Sequence, residues 1–280
     1  ELGVEPPNSP YCAPLLRTPC PVNHGAMASP AGSPAALEPL ATLAPANLRG
    51  SPAWSASFSL DGRYLAVCWG NPDTHVKVWE HRDATPGATK GDDTEWTLLG
   101  TIREEHTRTI RAVAFAPTSS TLGVPILASA SFDGKVMIWE HYPDDPGAEG
   151  EEEASDDERA SCFDAIAQLE GHESEVKGLA WNAAGSLLAS CGRDKTVWLW
   201  ECFLPGTVGG SETNNMDEDG AEQGDFECLA VLQGHEGDVK AIRFGPSHGQ
   251  WGEGEEVLYS ASYDDTIKVW AEEGGDWYCE

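Results

Sequence analysis

Residues 169–201 read LEGHESEVKGLAWNAAGSLLASCGRDKTVWLWE, and the fold turns on this stretch. It holds three short apolar runs: Val176–Trp181, Leu187–Cys191 and Thr196–Trp200. The polar segment Asn182–Ser186, with Gly185 inside it, separates the first two; Arg193-Asp194-Lys195 separates the last two. Runs of five or six aliphatic, aromatic and β-branched residues bounded by Gly, Asn and Asp predict strands of an antiparallel meander. No window here is long and periodic enough to favour a helix.

The same stretch recurs along the chain. An Asp followed by five residues and a Trp occurs at Asp73/Trp79, Asp133/Trp139, Asp194/Trp200 and Asp264/Trp270. Three copies carry an upstream His (His106, His172, His235) and a Ser four residues before the Asp (Ser129, Ser190, Ser260). Buried polar groups need partners. A repeated His, Ser, Asp and Trp on adjacent strands therefore predicts a hydrogen-bond chain from Asp to His to Ser to the indole, which fixes strand register. One such unit cannot bury its own faces, so repetition implies stacking. This pattern resembles the WD-repeat family and implies an all-β propeller with one four-stranded sheet per blade.

The repeats place four blades at about 50–80, 96–140, 162–201 and 226–271, with a fifth opening at 276–280. Residues 1–36, rich in Pro, Ala, Gly and Ser, read as a disordered leader, with Met27 as the expected translation start. Residues 37–280 read as the propeller, and Leu37–Leu48 as a strand that helps close the ring. The first repeat lacks the Gly-His; Arg49-Gly50-Ser51 stands there instead. Successive repeat Trp residues, 79, 139, 200 and 270, are 60, 61 and 70 apart, against about 40–45 for an ordinary repeat. The excess falls in loops, where length is cheap. Nine acids against one Arg in 142–160, and a second acidic stretch at 205–225, read as solvated connections.

A net charge of −30 argues against nucleic acid or an anionic membrane as partner. No apolar run is long enough to span a bilayer as a helix, and nothing near the start has the layout of a signal peptide. The eight Cys show no C-x-x-C and no framework spacing, which points to reduced thiols of a cytosolic or nuclear protein.

Four stretches carry a narrower resemblance: HTRTIRAVAFAP (106–117), LEGHESEVKGLAW with CGRDKTVWLWE (169–201), ECLAVLQGHEGDVKAIRF (227–244), and SASYDDTIKVW with EEGGDWYCE (260–280). Together they are similar to the WD-repeat subunits of the cytosolic iron–sulfur protein assembly machinery. That resemblance implies a seven-bladed docking subunit without catalysis of its own, of which this chain carries about four blades as a C-terminally truncated piece. Its implied partners are iron–sulfur maturation proteins and the apoprotein clients that receive [4Fe–4S] clusters, in the cytoplasm and nucleus. It also implicates an arginine in the Arg-Asp-Lys turn, here Arg193.

Comparing the repeats in register locates candidate contacts. Five residues after each His stands a basic side chain, Arg111, Lys177 or Lys240, with Trp54 at that register in the first repeat. In a chain with 17 basic and 47 acidic residues this is not a chance pattern. It predicts a basic cluster at one rim of the channel for an acidic peptide or a carboxylate terminus; the alternative is solvated positions balancing nearby acids. The residues before the turn Asp, Phe132, Arg193 and Tyr263, face the same rim and have hot-spot composition. His106, His172 and His235 read as framework rather than metal ligands, because each recurs with its own Ser, Asp and Trp. The same repetition argues against a hydrolytic triad. No thiolate grouping suits a resident cluster, and no cofactor is expected. A substrate receptor of a ubiquitin ligase is the rival adaptor reading.

Overall fold

Sixteen β-strands and no α-helix make up the described part of the computed structural model, which covers residues 50–82, 95–103, 105–119, 125–142, 163–204, 224–245 and 256–279. The leader, the strand expected at Leu37–Leu48 and most of the two acidic stretches lie outside these residues.

The strands form four antiparallel four-stranded sheets, each a simple meander. Sheet one contains β1 (Ala53–Phe58), β2 (Tyr64–Trp69), β3 (Val76–Arg82) and β4 (Glu95–Ile102). Sheet two contains β5 (Ile110–Ser119), β6 (Pro125–Ser131), β7 (Val136–His141) and β8 (Phe163–Leu169). Sheet three contains β9 (Val176–Trp181), β10 (Leu187–Gly192), β11 (Val197–Phe203) and β12 (Asp225–Leu232). Sheet four contains β13 (Val239–Phe244), β14 (Val257–Ser262), β15 (Ile267–Glu273) and β16 (Asp276–Cys279). The inner strands β1, β5, β9 and β13 neighbour one another in that order.

The sheets are offset from the sequence repeats by one strand. Residues from Trp96, expected to open the second blade, lie in β4 and complete sheet one. Asp276–Cys279, expected to open a fifth blade, pairs with β15 and completes sheet four. The cause is local. Gly274 and Gly275 both have positive φ, 66° and 94°, as a two-residue hairpin turn of type I′ requires. The chain therefore folds straight back onto the strand it has just left.

Stacking supplies the core, with one cluster per sheet interface. Ala66, Val76, Val78 and Ile102 of sheet one meet Val113, Phe115, Leu127 and Trp139 of sheet two. Ala128, Val136, Ile138 and Leu169 of sheet two meet Val176, Leu179, Leu188 and Trp200 of sheet three. Ala189, Cys191, Val197 and Leu199 of sheet three meet Val239, Ile242, Leu258 and Trp270 of sheet four. Each fully buried Leu or Ile contributes roughly 1.5–3 kcal/mol. A sheet covered on both faces reads as continuous apolar sequence, and β6 and β7 are buried along their whole length.

Candidate functional site

Three polar quartets frame the rim. In sheet two, His106 Nδ1 lies 3.0 Å from Asp133 Oδ2, His106 Nε2 lies 2.8 Å from Ser129 Oγ, and the Trp139 indole donates to that oxygen at 2.8 Å. Sheet three repeats this with His172, Asp194, Ser190 and Trp200 at 2.7, 2.8 and 3.0 Å. Sheet four repeats it with His235, Asp264, Ser260 and Trp270 at 2.7, 2.7 and 2.8 Å. The indole N–H only donates and the carboxylate only accepts. With a neutral imidazole the chain therefore runs one way: indole to Ser, Ser to Nε2, Nδ1–H to Asp. Each Asp also accepts from the main chain, Asp133 from Thr107 and Lys135, Asp194 from Glu173 and Thr196. Burial pushes the Asp133 and Asp194 carboxyls up, but the hydrogen bonds from His106 and His172, their charge interaction and the bonds from the neighbouring turn residues together hold both below the usual range.

Sheet one replaces the quartet. Trp69 occupies the Ser register and stacks on His75, with ring centroids 4.8 Å apart. His75 Nδ1 donates to the Asp73 carbonyl oxygen, and its buried Nε2 has no hydrogen-bond partner. Burial lowers its pKa. Asp73 accepts instead from Arg103 at 2.8 Å.

The quartets hold short turns above the inner strands, and each inner strand opens with a β-bulge. The ladder skips from Ala53 to Ser55, from Ile110 to Ala112 and from Val239 to Ala241. In sheet three Cys191 pairs with Gly178 and Gly192 with Val176. The four residues left out are Trp54, Arg111, Lys240 and Lys177, the same four that the His register singles out. A bulge takes a residue out of the ladder and re-aims its side chain. Arg111, Lys177 and Lys240 accordingly line a cavity of about 540 Å³ between the inner strands.

Around this mouth the structure links all seven candidate contacts. Arg111 lies over the Trp54 ring at 5.1 Å, and Trp54 tilts against Phe132 with centroids 6.4 Å apart. Arg108 covers Phe132 at 5.9 Å and donates to Glu175 at 3.0 Å. Arg193 donates to the same carboxylate at 3.3 and 3.4 Å. Lys177 pairs with Asp238, and Glu175 lies 3.8 Å from its Nζ. Asp238 also lies 3.6 Å from Lys240, whose Nζ sits 3.8 Å from the Tyr263 ring centre. Burial acts to raise the Glu175 carboxyl, but the Arg108 and Arg193 bonds prevail and lower it; the Lys177 bond does the same for Asp238.

Sequence reasoning missed Arg108, Glu175 and Asp238. The two acids share one register, three residues after His172 and His235, where sheet two has Thr109. That alignment was the available signal. Five cations against two carboxylates leave the mouth net positive within a strongly acidic chain. Burial pushes the Cys68 and Cys191 thiols up to about 12. Among the described residues no group of His, Cys, Asp and Glu has the arrangement of a metal site.

The model for the WD domain, G-beta repeat, matches residues 38–80, 96–140, 163–201 and 226–271. Several fungal relatives bear the name "Probable cytosolic iron-sulfur protein assembly protein 1". That from Botryotinia fuckeliana is 34% identical over 197 residues, covering 61% of this chain and 41% of the relative. That from Meyerozyma guilliermondii is 36% identical over 275 residues, covering 74% and 70%. That from Scheffersomyces stipitis is 37% identical over 217 residues, covering 61% and 56%. The chain thus spans less than two thirds of the first and third relatives and 70% of the second.

Proposed function

We propose, for a chain that belongs to the WD domain, G-beta repeat family, the role of a non-catalytic docking subunit in cytosolic iron–sulfur protein assembly. It binds maturation proteins and apoprotein clients of the cytoplasm and nucleus, and neither nucleic acid nor membrane. Similarity to relatives named for that process supports the pathway. The observation that carries the docking role is the mouth itself: Trp54, Arg111, Phe132, Lys177, Arg193, Lys240 and Tyr263 come from four sheets to one surface. Aromatic and Arg residues around a desolvated centre are what a protein partner uses. The Ser, His and Asp groups are threefold repeated and locked to Trp, which suits a framework rather than a reaction centre.

The test is affinity purification of the tagged chain, paired with radioactive iron incorporation into a cytosolic iron–sulfur reporter in cells depleted of their own WD-repeat assembly subunit. Copurification with maturation proteins and restored incorporation support the role. Copurification with a cullin adaptor, and no restored incorporation, would replace it with the ubiquitin-ligase reading.

A further inference from the structure

The cations at the mouth are held in two different ways, and the difference assigns them different work. Lys177 and Arg193 are held by carboxylates. The Lys177 side chain is 9% exposed, and its ammonium sits between Asp238 and Glu175. Glu175, itself 15% exposed, takes both Arg108 and Arg193. Two of these bonds cross between sheets: Arg108, in the turn leading into sheet two, reaches Glu175 of sheet three, and Lys177 of sheet three reaches Asp238, in the turn leading into sheet four; the Arg193–Glu175 bond lies within sheet three. The two carboxylates offset most of the charge of the three cations they hold, and the Arg108–Glu175 and Lys177–Asp238 bonds tie neighbouring sheets together.

Arg111 and Lys240 are held by rings. Trp54 lies under the Arg111 guanidinium and Tyr263 under the Lys240 ammonium. An aromatic face orients a cation through its quadrupole without neutralising it. Arg111 makes no ion pair with a carboxylate among the described residues. Lys240 has only the longer approach to Asp238, at 3.6 Å, an acid already committed to Lys177. Both are bulge residues whose side chains are re-aimed toward the cavity.

We propose that Arg111 and Lys240, each backed by its ring, are the two points that grip the carboxylates of an acidic linear peptide laid across the mouth, and that Arg108, Glu175, Arg193, Lys177 and Asp238 are the frame that sets their spacing. This rests on the docking reading above and deepens it. The occupant follows from charge complementarity, because a local excess of cations survives in a chain of net charge −30. It moves the recognition role away from Arg193, which the family resemblance implicates, to residues on either side of it. It also gives Glu175 a masking role: its carboxylate competes with the peptide for Arg108 and Arg193.

The test uses the full chain and a fluorescein-labelled hexaglutamate peptide, read by anisotropy at low ionic strength, with hexaglutamine as the uncharged control. Binding that weakens with added salt is expected for the acidic peptide alone. Arg111→Gln and Lys240→Gln should each weaken it at least tenfold, with unchanged circular dichroism and unfolding midpoint. Trp54→Leu, which leaves the Arg111 charge but removes its ring, should weaken it by a smaller factor. Arg193→Gln should change affinity less than threefold while lowering the unfolding midpoint. Glu175→Gln should tighten binding at least threefold, a gain that a purely structural role would not produce. The proposal is overturned if Arg111→Gln and Lys240→Gln bind as wild type, or if Arg193→Gln alone loses the peptide with its stability intact. It is also overturned if hexaglutamate does not bind the folded wild-type chain. Maturation partners that still copurify in that case leave the docking role standing on other chemistry.

Discussion

Ser190→Ala isolates the quartet that the fold rests on. The Ser190 side chain is fully buried, and its single oxygen serves two neighbours, the Trp200 indole at 3.0 Å and His172 Nε2 at 2.8 Å. Alanine fits the space but leaves both nitrogens without a partner. Each stranded buried group costs about 1–3 kcal/mol, so the substitution should cost about 2–6 kcal/mol, a large share of the roughly 5–15 kcal/mol that holds a domain together. Trp200→Phe removes the stranded donor from the other side. The double variant should therefore cost at least about 1 kcal/mol less than the two singles added, the signature of groups in contact. Urea unfolding followed by circular dichroism gives the totals. Because stacked repeats can depart from two-state behaviour, amide hydrogen exchange in β10 gives the local value. A loss under about 0.5 kcal/mol for Ser190→Ala, or strict additivity in the cycle, would refute the quartet as a stabilising unit.

Acid should unfold the protein in two stages. His75 is buried with a lowered pKa, so the unfolded chain takes up its proton first. Stability falls as pH drops below about 6.5 toward the folded value, and His75→Phe should abolish this stage in a plot of unfolding midpoint against pH. Asp133, Asp194, Glu175 and Asp238 have lowered values, so their contribution is complete above about pH 5 and is lost progressively below that; no loss of midpoint there would contradict it. Thiol labelling should divide the described cysteines. Cys228 and Cys279 are exposed and should react in the native state, whereas Cys68, Cys191 and Cys202 are buried and should stay silent until denaturant is added, as read by peptide mapping. Gly171→Ala should lower stability by about 1–3 kcal/mol through overpacking, because its Cβ would meet the Trp198 ring at 2.3 Å. Trp198→Met should rescue it in thermal melts, since sheet two pairs a non-glycine residue, Glu105, with Met137 in the same register.

The sequence by itself determined the strands, their number per repeat and the composition of the quartets. All of these are local: a run of apolar residues, a turn residue, a His, Ser, Asp and Trp at constant offsets. It also determined which register would carry the mouth residues, since Arg111, Lys177, Lys240 and Trp54 align without reference to any fold. The offset between repeat and sheet was legible in principle from Gly274-Gly275, whose hairpin chemistry outweighs the repeat phase. Tertiary structure alone decided which charge meets which. Lys177 finds Asp238 from 61 residues away, and Arg108 finds Glu175 from 67; such pairs depend on how sheets stack, and stacking is set by apolar faces that say nothing of the rim. For the same reason the sequence could not show that Arg193 is tied to a carboxylate while Arg111 and Lys240 rest on rings. Nor could it show that Trp69 and His75 fill the space of the missing quartet, because that exchange is a matter of volume and contact rather than of pattern.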